Sequence, residues 1–153
     1  MGYGLPAAIA AQLAHPDRVV IAFAGDGCFQ TSGHELGTAR QYDLPIIVII
    51  INNGIHGSIR MHQERHYPGR VIATDIVNPD FTAYARAFGL DATLIETAAE
   101  FGPALRAAIA NRRPAVLELR LDPEALTPDA TLSEIRARAE QTLAHRNGSP
   151  ANA

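Results

Sequence analysis

The sequence predicts an α/β fold: three layers, α/β/α, around a mostly parallel, doubly wound sheet. Three observations carry this. The runs Arg18–Ala24, Leu44–Ile51 and Ala115–Leu121 are short, apolar and rich in β-branched residues. The first two are almost continuously apolar, as parallel strands covered on both faces are. Helical segments alternate with these runs, and such alternation means βαβ units. Polar, glycine-rich segments follow the first two strands, where open parallel sheets bind ligands.

In chain order, the apolar stripe Leu5–Leu13 reads as a core-facing helix, followed by the first strand. The next helix spans Gly33–Gln41, where Ser32 and Glu35 fit the S/T-x-x-E capping box. The second strand leads into a long loop. Asn78 then reads as an N-cap with Pro79 at the first helical position of a helix over Asp80–Phe88, closed by Gly89. A weaker strand, Ala92–Glu96, precedes a helix over Phe101–Asn111, with a capping box at Thr97 and Glu100. After the last strand the register changes at Asp122-Pro-Glu, and Thr131–His145 reads as an amphipathic helix with a box at Thr131 and Glu134. The end from Asn147 is expected to fray. The expected division is a ligand-binding domain over 1–121 and a C-terminal extension over 122–153.

Composition narrows the function classes. The 153 residues are 47% apolar with net charge -3 and no Lys/Arg block, so nothing suggests nucleic acid. The longest apolar run, Ile46–Ile51, is far too short for a span of about 20 residues. A single cysteine, Cys28, excludes a disulfide framework. The expectation is a soluble, cytoplasmic chain without a membrane partner.

Two strand-end segments are chemically loaded: Gly25-Asp26-Gly27-Cys28 and Asn52-Asn53-Gly54-Ile55-His56-Gly57-Ser58. If the two strands are neighbours, Asp26 and Asn53 emerge at one edge of the sheet. A carboxylate, an amide oxygen and a nearby carbonyl form an all-oxygen set suited to Mg²⁺, which takes further oxygens from phosphates. The glycines permit close backbone approach and expose N–H groups, so the pattern reads as a metal-bridged diphosphate site. Gly-Asp-Gly and Asn-Asn-Gly are each common turns; their occurrence at successive strand ends is what favours a site. A dinucleotide fingerprint fails, because the third glycine and an acidic ribose ligand are both missing.

These residues resemble a known family. Gly25-Asp26-Gly27, with Asn52-Asn53 beyond it, looks like the GDG…NN signature of thiamine-diphosphate enzymes. Met1-Gly-Tyr-Gly-Leu-Pro-Ala-Ala-Ile-Ala-Ala is similar to a stretch of the acetolactate synthase, benzoylformate decarboxylase and pyruvate oxidase branch. The resemblance covers Met1 to about Leu121, the C-terminal, diphosphate-binding domain of that branch.

The resemblance implies that Asp26, the Asn53 side chain and the Ile55 carbonyl hold Mg²⁺. It implies that backbone N–H groups of Gly27, Cys28, His56 and Gly57 hold the diphosphate beside Gly25, and that Met1 props the cofactor into its bent form. Ser58, Ile59 and His62 match positions lining the substrate pocket. Acetolactate synthases usually carry tryptophan at the place of His62 and methionine at that of Ser58. These departures point to a related 2-oxoacid decarboxylase or carboligase at least as well as to an acetolactate synthase. The implied enzyme makes or breaks the C–C bond beside a 2-oxo group of a small 2-oxoacid, with thiamine diphosphate supplying the difficult chemistry.

The implied partner is a pyrimidine-binding domain that carries the activating glutamate, in a homo-oligomer. That glutamate is not matched here, so the chain alone is expected to be inert, with Glu35 and Glu64 the first acids to examine otherwise. The alternatives are a non-catalytic or regulatory cofactor-binding module and a flavodoxin-like phosphate binder. His62 and His66 are spaced i, i+4 but lack the acidic base of H-E-x-x-H, so a zinc site is not expected. A cluster of Arg65, Tyr67 and Arg70 could meet a substrate carboxylate, though a solvated subunit contact fits it better.

Overall fold

The structure, a computed structural model, describes residues 1–148. The elements are α1 (Gly4–Ala14), β1 (Ile21–Gly25), α2 (Asp26–Gln30), α3 (Leu36–Gln41), β2 (Ile47–Asn52), α4 (Gly57–His66), α5 (Phe81–Ala87), β3 (Asp91–Ile95), α6 (Ala98–Asn111), β4 (Ala115–Arg120) and α7 (Leu132–Gly148). They form two compact units. One comprises Met1–Asn53 with Val77–Leu121, the other Gly54–Ile76 with the chain from Asp122 on.

The first unit holds a four-stranded, all-parallel sheet in the order β1-β2-β4-β3. The chain advances from β1 to β2 and on to the far edge at β3, then returns to β4. Crossovers of a single hand place helices on one face while the chain advances and on the other when it returns. Accordingly, Leu5 and Ile9 of α1, Leu36 and Ala39 of α3, and Phe81 and Ala85 of α5 pack with Ala22, Ala24, Val48, Ile50 and Val116 on one face. Phe101, Leu105 and Ala108 of α6 pack with Ile47, Ile49, Ala115 and Leu117 on the other. The expected three layers are present.

β2 is covered on both faces, but β1 is not. Its pattern alternates, with Ala22 and Ala24 buried while Phe23 is 65% exposed. As an edge strand it has a covered face only on the α1 side, because α6 packs over β3 and β4. Continuous apolarity in sequence therefore overstated its burial.

Two of the three expected capping boxes form. Thr97 and Glu100 form the reciprocal capping box of α6, and Thr131 and Glu134 exchange bonds of 3.2 and 2.8 Å at the start of α7. The box expected at Ser32 does not form: its side chain makes no cap bond, and the Glu35 carboxylate accepts from the Thr38 hydroxyl at 2.6 Å instead. The cap of α5 is Asp80 rather than Asn78, its carboxylate accepting from the Ala83 N–H at 2.8 Å. Two helices escape the sequence reading: α2 starts directly at Asp26, and α4 lies inside the expected long loop. α7 continues through Asn147 to Gly148, and residues 149–153 of the expected frayed end lie outside the described residues.

In the second unit, α4 and α7 pack together. Gly54–His56 runs antiparallel to Thr74–Ile76, with the His56 N–H donating to the Thr74 carbonyl at 2.8 Å and the Ile76 N–H to the Gly54 carbonyl at 2.8 Å.

Candidate functional site

β1 and β2 are parallel neighbours with Gly25 opposite Ile51, so Asp26 and the Asn52-Asn53 pair stand side by side at the carboxyl edge of the sheet. Asp26 is buried. Its Oδ1 accepts the Gly27 N–H at 2.8 Å and its Oδ2 accepts from Nδ2 of Asn78 at 2.8 Å. The same Nδ2 donates to Oδ1 of Asn52 at 2.9 Å, and Gln30 Nε2 donates to Oδ1 of Asn78 at 2.7 Å. Asn52 in turn donates to Oε1 of Glu118 at 2.7 Å, a carboxylate buried in β4. The Arg120 guanidinium stands 3.8 Å from that oxygen. Asn53 follows the last residue of β2 and is half-buried.

A Cβ added at Gly25 meets no atom within 4 Å, so space is open beside the strand end. Gly2 is a tighter case. It adopts φ +78°, and a Cβ there would lie 2.8 Å from the Thr31 hydroxyl oxygen. Its N–H donates to the Cys28 sulfur at 3.2 Å, which ties the Met1-Gly2 start of the chain to α2. Met1 itself is 78% exposed.

In the second unit, Ile55 lies in the antiparallel bridge to Asp75. His56 flanks the start of α4 and its side chain makes no cap bond, leaving the helix N-terminus at Gly57 uncapped by side chains. Ser58, Ile59 and His62 occupy the first two turns of α4 and are exposed. Of the N–H groups expected to meet a diphosphate, those of Gly27 and His56 already have acceptors, Asp26 and Thr74 respectively. The His62 and His66 rings stack with centroids 6.0 Å apart. Among the described residues, no group of three or more His, Cys, Asp or Glu side chains gathers as a metal site. Arg70 lies over the Tyr67 ring at 5.9 Å.

Glu64, one of the two acids singled out in the sequence, is not placed for proton transfer. It is fully buried, accepts from the Gly69 N–H at 3.0 Å, and is held by Arg136, which lowers its pKa from 4.5 to about 2.

Residues 1–119 match the family model described as the C-terminal TPP binding domain of thiamine pyrophosphate enzymes. The chain belongs to that family. It is 44% identical over 123 residues to an acetolactate synthase large subunit of Pyropia yezoensis, covering 79% of this chain and 21% of that protein. To the mitochondrial acetolactate synthase catalytic subunit of Saccharomyces cerevisiae it is 37% identical over 122 residues, 80% of this chain and 18% of that one. Among solved structures, a thiamine diphosphate-dependent 4-hydroxybenzoylformate decarboxylase of Rhodococcus jostii matches with TM-score 0.75 at 38% identity, over 80% of this chain and 23% of its own. The chain thus spans about a fifth of the length of these relatives.

For this thiamine pyrophosphate-binding domain, the sequence reading missed two residues of the network at the strand ends, Asn78 beside Asp26 and Glu118 beside Asn52. Asn78 was absorbed by the cap signal, although Asn78-Pro79-Asp80 offers two cap candidates and only one can serve. Glu118 carried a readable signal: it is an acidic residue flanked by leucines in the middle of an otherwise apolar strand that ends at Arg120, and buried carboxylates need partners.

Proposed function

We propose that this domain binds Mg²⁺ and thiamine diphosphate as part of an enzyme acting on 2-oxoacids, by decarboxylation or by carboligation of the acetolactate type. The observation that carries the reading is the placement of Asp26 and Asn52-Asn53 at the carboxyl ends of neighbouring parallel strands. The donor set fits the ion. A carboxylate and a carboxamide oxygen are hard ligands, and Mg²⁺ with so few protein oxygens completes its octahedron from phosphate and water.

In the first unit, Asp26 and Asn53 hold the cation, the Cys28 N–H meets the diphosphate, and Gly25 leaves room for it. In the second unit, the family resemblance assigns the Ile55 carbonyl to the cation and the N-terminus of α4 at Gly57 to the diphosphate. A helix N-terminus without a side-chain cap presents N–H groups and a favourable dipole to an anion. The His56 N–H joins them only by leaving the Thr74 carbonyl. Ser58, Ile59 and His62 form one wall of the substrate pocket. Bound thiamine diphosphate supplies a nucleophilic carbon and an electron sink for cleaving or forming the bond beside a 2-oxo group. The residues of this chain bind it, neutralise its charge and orient it. The activating acid comes from a pyrimidine-binding partner domain, and the working enzyme is a homo-oligomer.

Thermal-shift titration tests the reading. Thiamine diphosphate should raise the melting temperature only when Mg²⁺ is present. An equal rise with inorganic pyrophosphate and no metal would favour a generic phosphate binder instead.

A further inference from the structure

We infer that Asn78 is a positioning residue for the Asp26 carboxylate, setting the selectivity of the cation site for Mg²⁺ over larger ions. The inference rests on the Mg²⁺ reading of Asp26 and deepens it. Asn78 lies outside both strand-end segments, yet its side chain joins them. Its amide has two hydrogens and both are used, one on Oδ2 of Asp26 at 2.8 Å and one on Oδ1 of Asn52 at 2.9 Å. Its oxygen accepts from Gln30 Nε2 at 2.7 Å. Three partners leave the amide a single orientation, because turning it over would set its oxygen against the Asp26 carboxylate.

Asp26 is fixed in consequence. The Gly27 N–H holds Oδ1 and Asn78 holds Oδ2, so the carboxylate cannot rotate without breaking two hydrogen bonds. The clamp is anchored in the core, since Asn52 also donates to Glu118, which is buried in β4. Partners that orient a ligand typically alter metal affinity by about 10–100-fold. Rigidity of this kind bears unequally on different ions. Mg²⁺ demands near-ideal octahedral geometry at about 2.0–2.1 Å, whereas Ca²⁺ accepts irregular sets at about 2.3–2.6 Å. Asn78 therefore contributes chiefly to Mg²⁺ binding.

The test uses the 153-residue chain with thiamine diphosphate. Mn²⁺ binding is followed by electron paramagnetic resonance, and Mg²⁺ and Ca²⁺ are measured by competition. In Asn78→Ala, Mg²⁺ affinity should fall about 10–100-fold while Ca²⁺ affinity stays within about twofold, with an unchanged far-UV circular dichroism spectrum. Gln30→Ala, which releases only the Asn78 oxygen, should show the same selective loss at smaller size, and carries the test if Asn78→Ala does not fold. Equal losses for the two ions, or none, would overturn the inference while the Mg²⁺ reading stands. If the parent chain itself binds no Mn²⁺, the reading and the inference fall together.

Discussion

The Glu64 carboxylate, fully buried on α4, is clasped by the Arg136 guanidinium of α7 through Nε at 2.8 Å and through a second bond from Nη2. Glu64 is the only buried residue of α4. An ionic contact, rather than an apolar stripe, thus gives this helix its inner face. Arg60 adds to it from one turn earlier, 3.5 Å from Oε1 of Glu64, and donates to Thr74 and Asp75.

Removing one partner of this pair should be far more damaging than replacing both. Arg136→Ala leaves a buried carboxylate with weaker compensation from Arg60 and Gly69; because the Arg136 side chain is itself 37% exposed, the cost should fall below the ~3–5 kcal/mol of a fully buried pair. A Glu64→Leu, Arg136→Met double variant should lie much nearer the parent, because packed apolar side chains avoid the desolvation penalty. Urea unfolding of the three proteins checks the ordering.

Acid should loosen the same contact. The folded-state pKa of Glu64 is lowered from 4.5 to about 2, first by its hydrogen bond from Arg136. A depressed carboxylate pKa means stability that is fully present above the unfolded value and is lost as pH falls toward the folded one. The loss should therefore develop between about pH 4.5 and pH 2, and be blunted in Glu64→Gln. Chemical denaturation at a series of pH values measures it.

At the proposed cation site, Asp26→Ala should abolish Mg²⁺-dependent binding of thiamine diphosphate, and Asn53→Ala should weaken it. Asp26 is buried and hydrogen-bonded, so its loss should also cost about 1–3 kcal/mol of stability by stranding the Gly27 and Asn78 donors. Calorimetric titration alongside urea melts separates the two effects. Parent-like binding in both variants would remove the site from this edge of the sheet.

The proposed pocket rests on the family resemblance, which matches His62 and Ser58 to larger apolar residues of acetolactate synthases; both are exposed on the first turns of α4. In an enzyme reconstituted with its partner domain, His62→Trp should shift preference toward small apolar 2-oxoacids. One methylene in such a pocket is worth about 1–3 kcal/mol, so changes of about 10–200-fold in relative kcat/KM are expected. Competition between pairs of 2-oxoacids reads the shift.

A polypeptide of these 153 residues alone should release no CO₂ from 2-oxoacids in the presence of Mg²⁺ and thiamine diphosphate. Of the two acids singled out in the sequence, Glu64 is locked beneath Arg136 and Glu35 accepts from Thr38. Turnover approaching about 1 per second in a coupled assay would mean that another group activates the cofactor.

How much of this was legible in the sequence depends on the range of the interaction that decides each feature. Strand identity, the boxes at Thr97 and Thr131, and the loaded strand-end motifs at Asp26 and Asn53 were readable, because apolar runs, reciprocal caps and strand-end motifs act over a few residues. That the two strands are neighbours was a condition that strand order had to meet. Helix α4 was not readable: periodicity searches for apolar spacing, and its buried position is a carboxylate whose partner lies 72 residues away. The alternating exposure of β1 followed from its place at the sheet edge, a property of strand order that its own apolar residues do not encode. Asn78 marks the boundary most clearly. Locally it has the chemistry of a helix cap, and Asp80 two residues on has the same chemistry. Only tertiary structure assigned the cap to Asp80 and brought the Asn78 amide to Asp26, 52 positions away, and to Asn52. A hydrogen-bonding side chain states what it can bond, and the fold decides which partner comes within 3 Å.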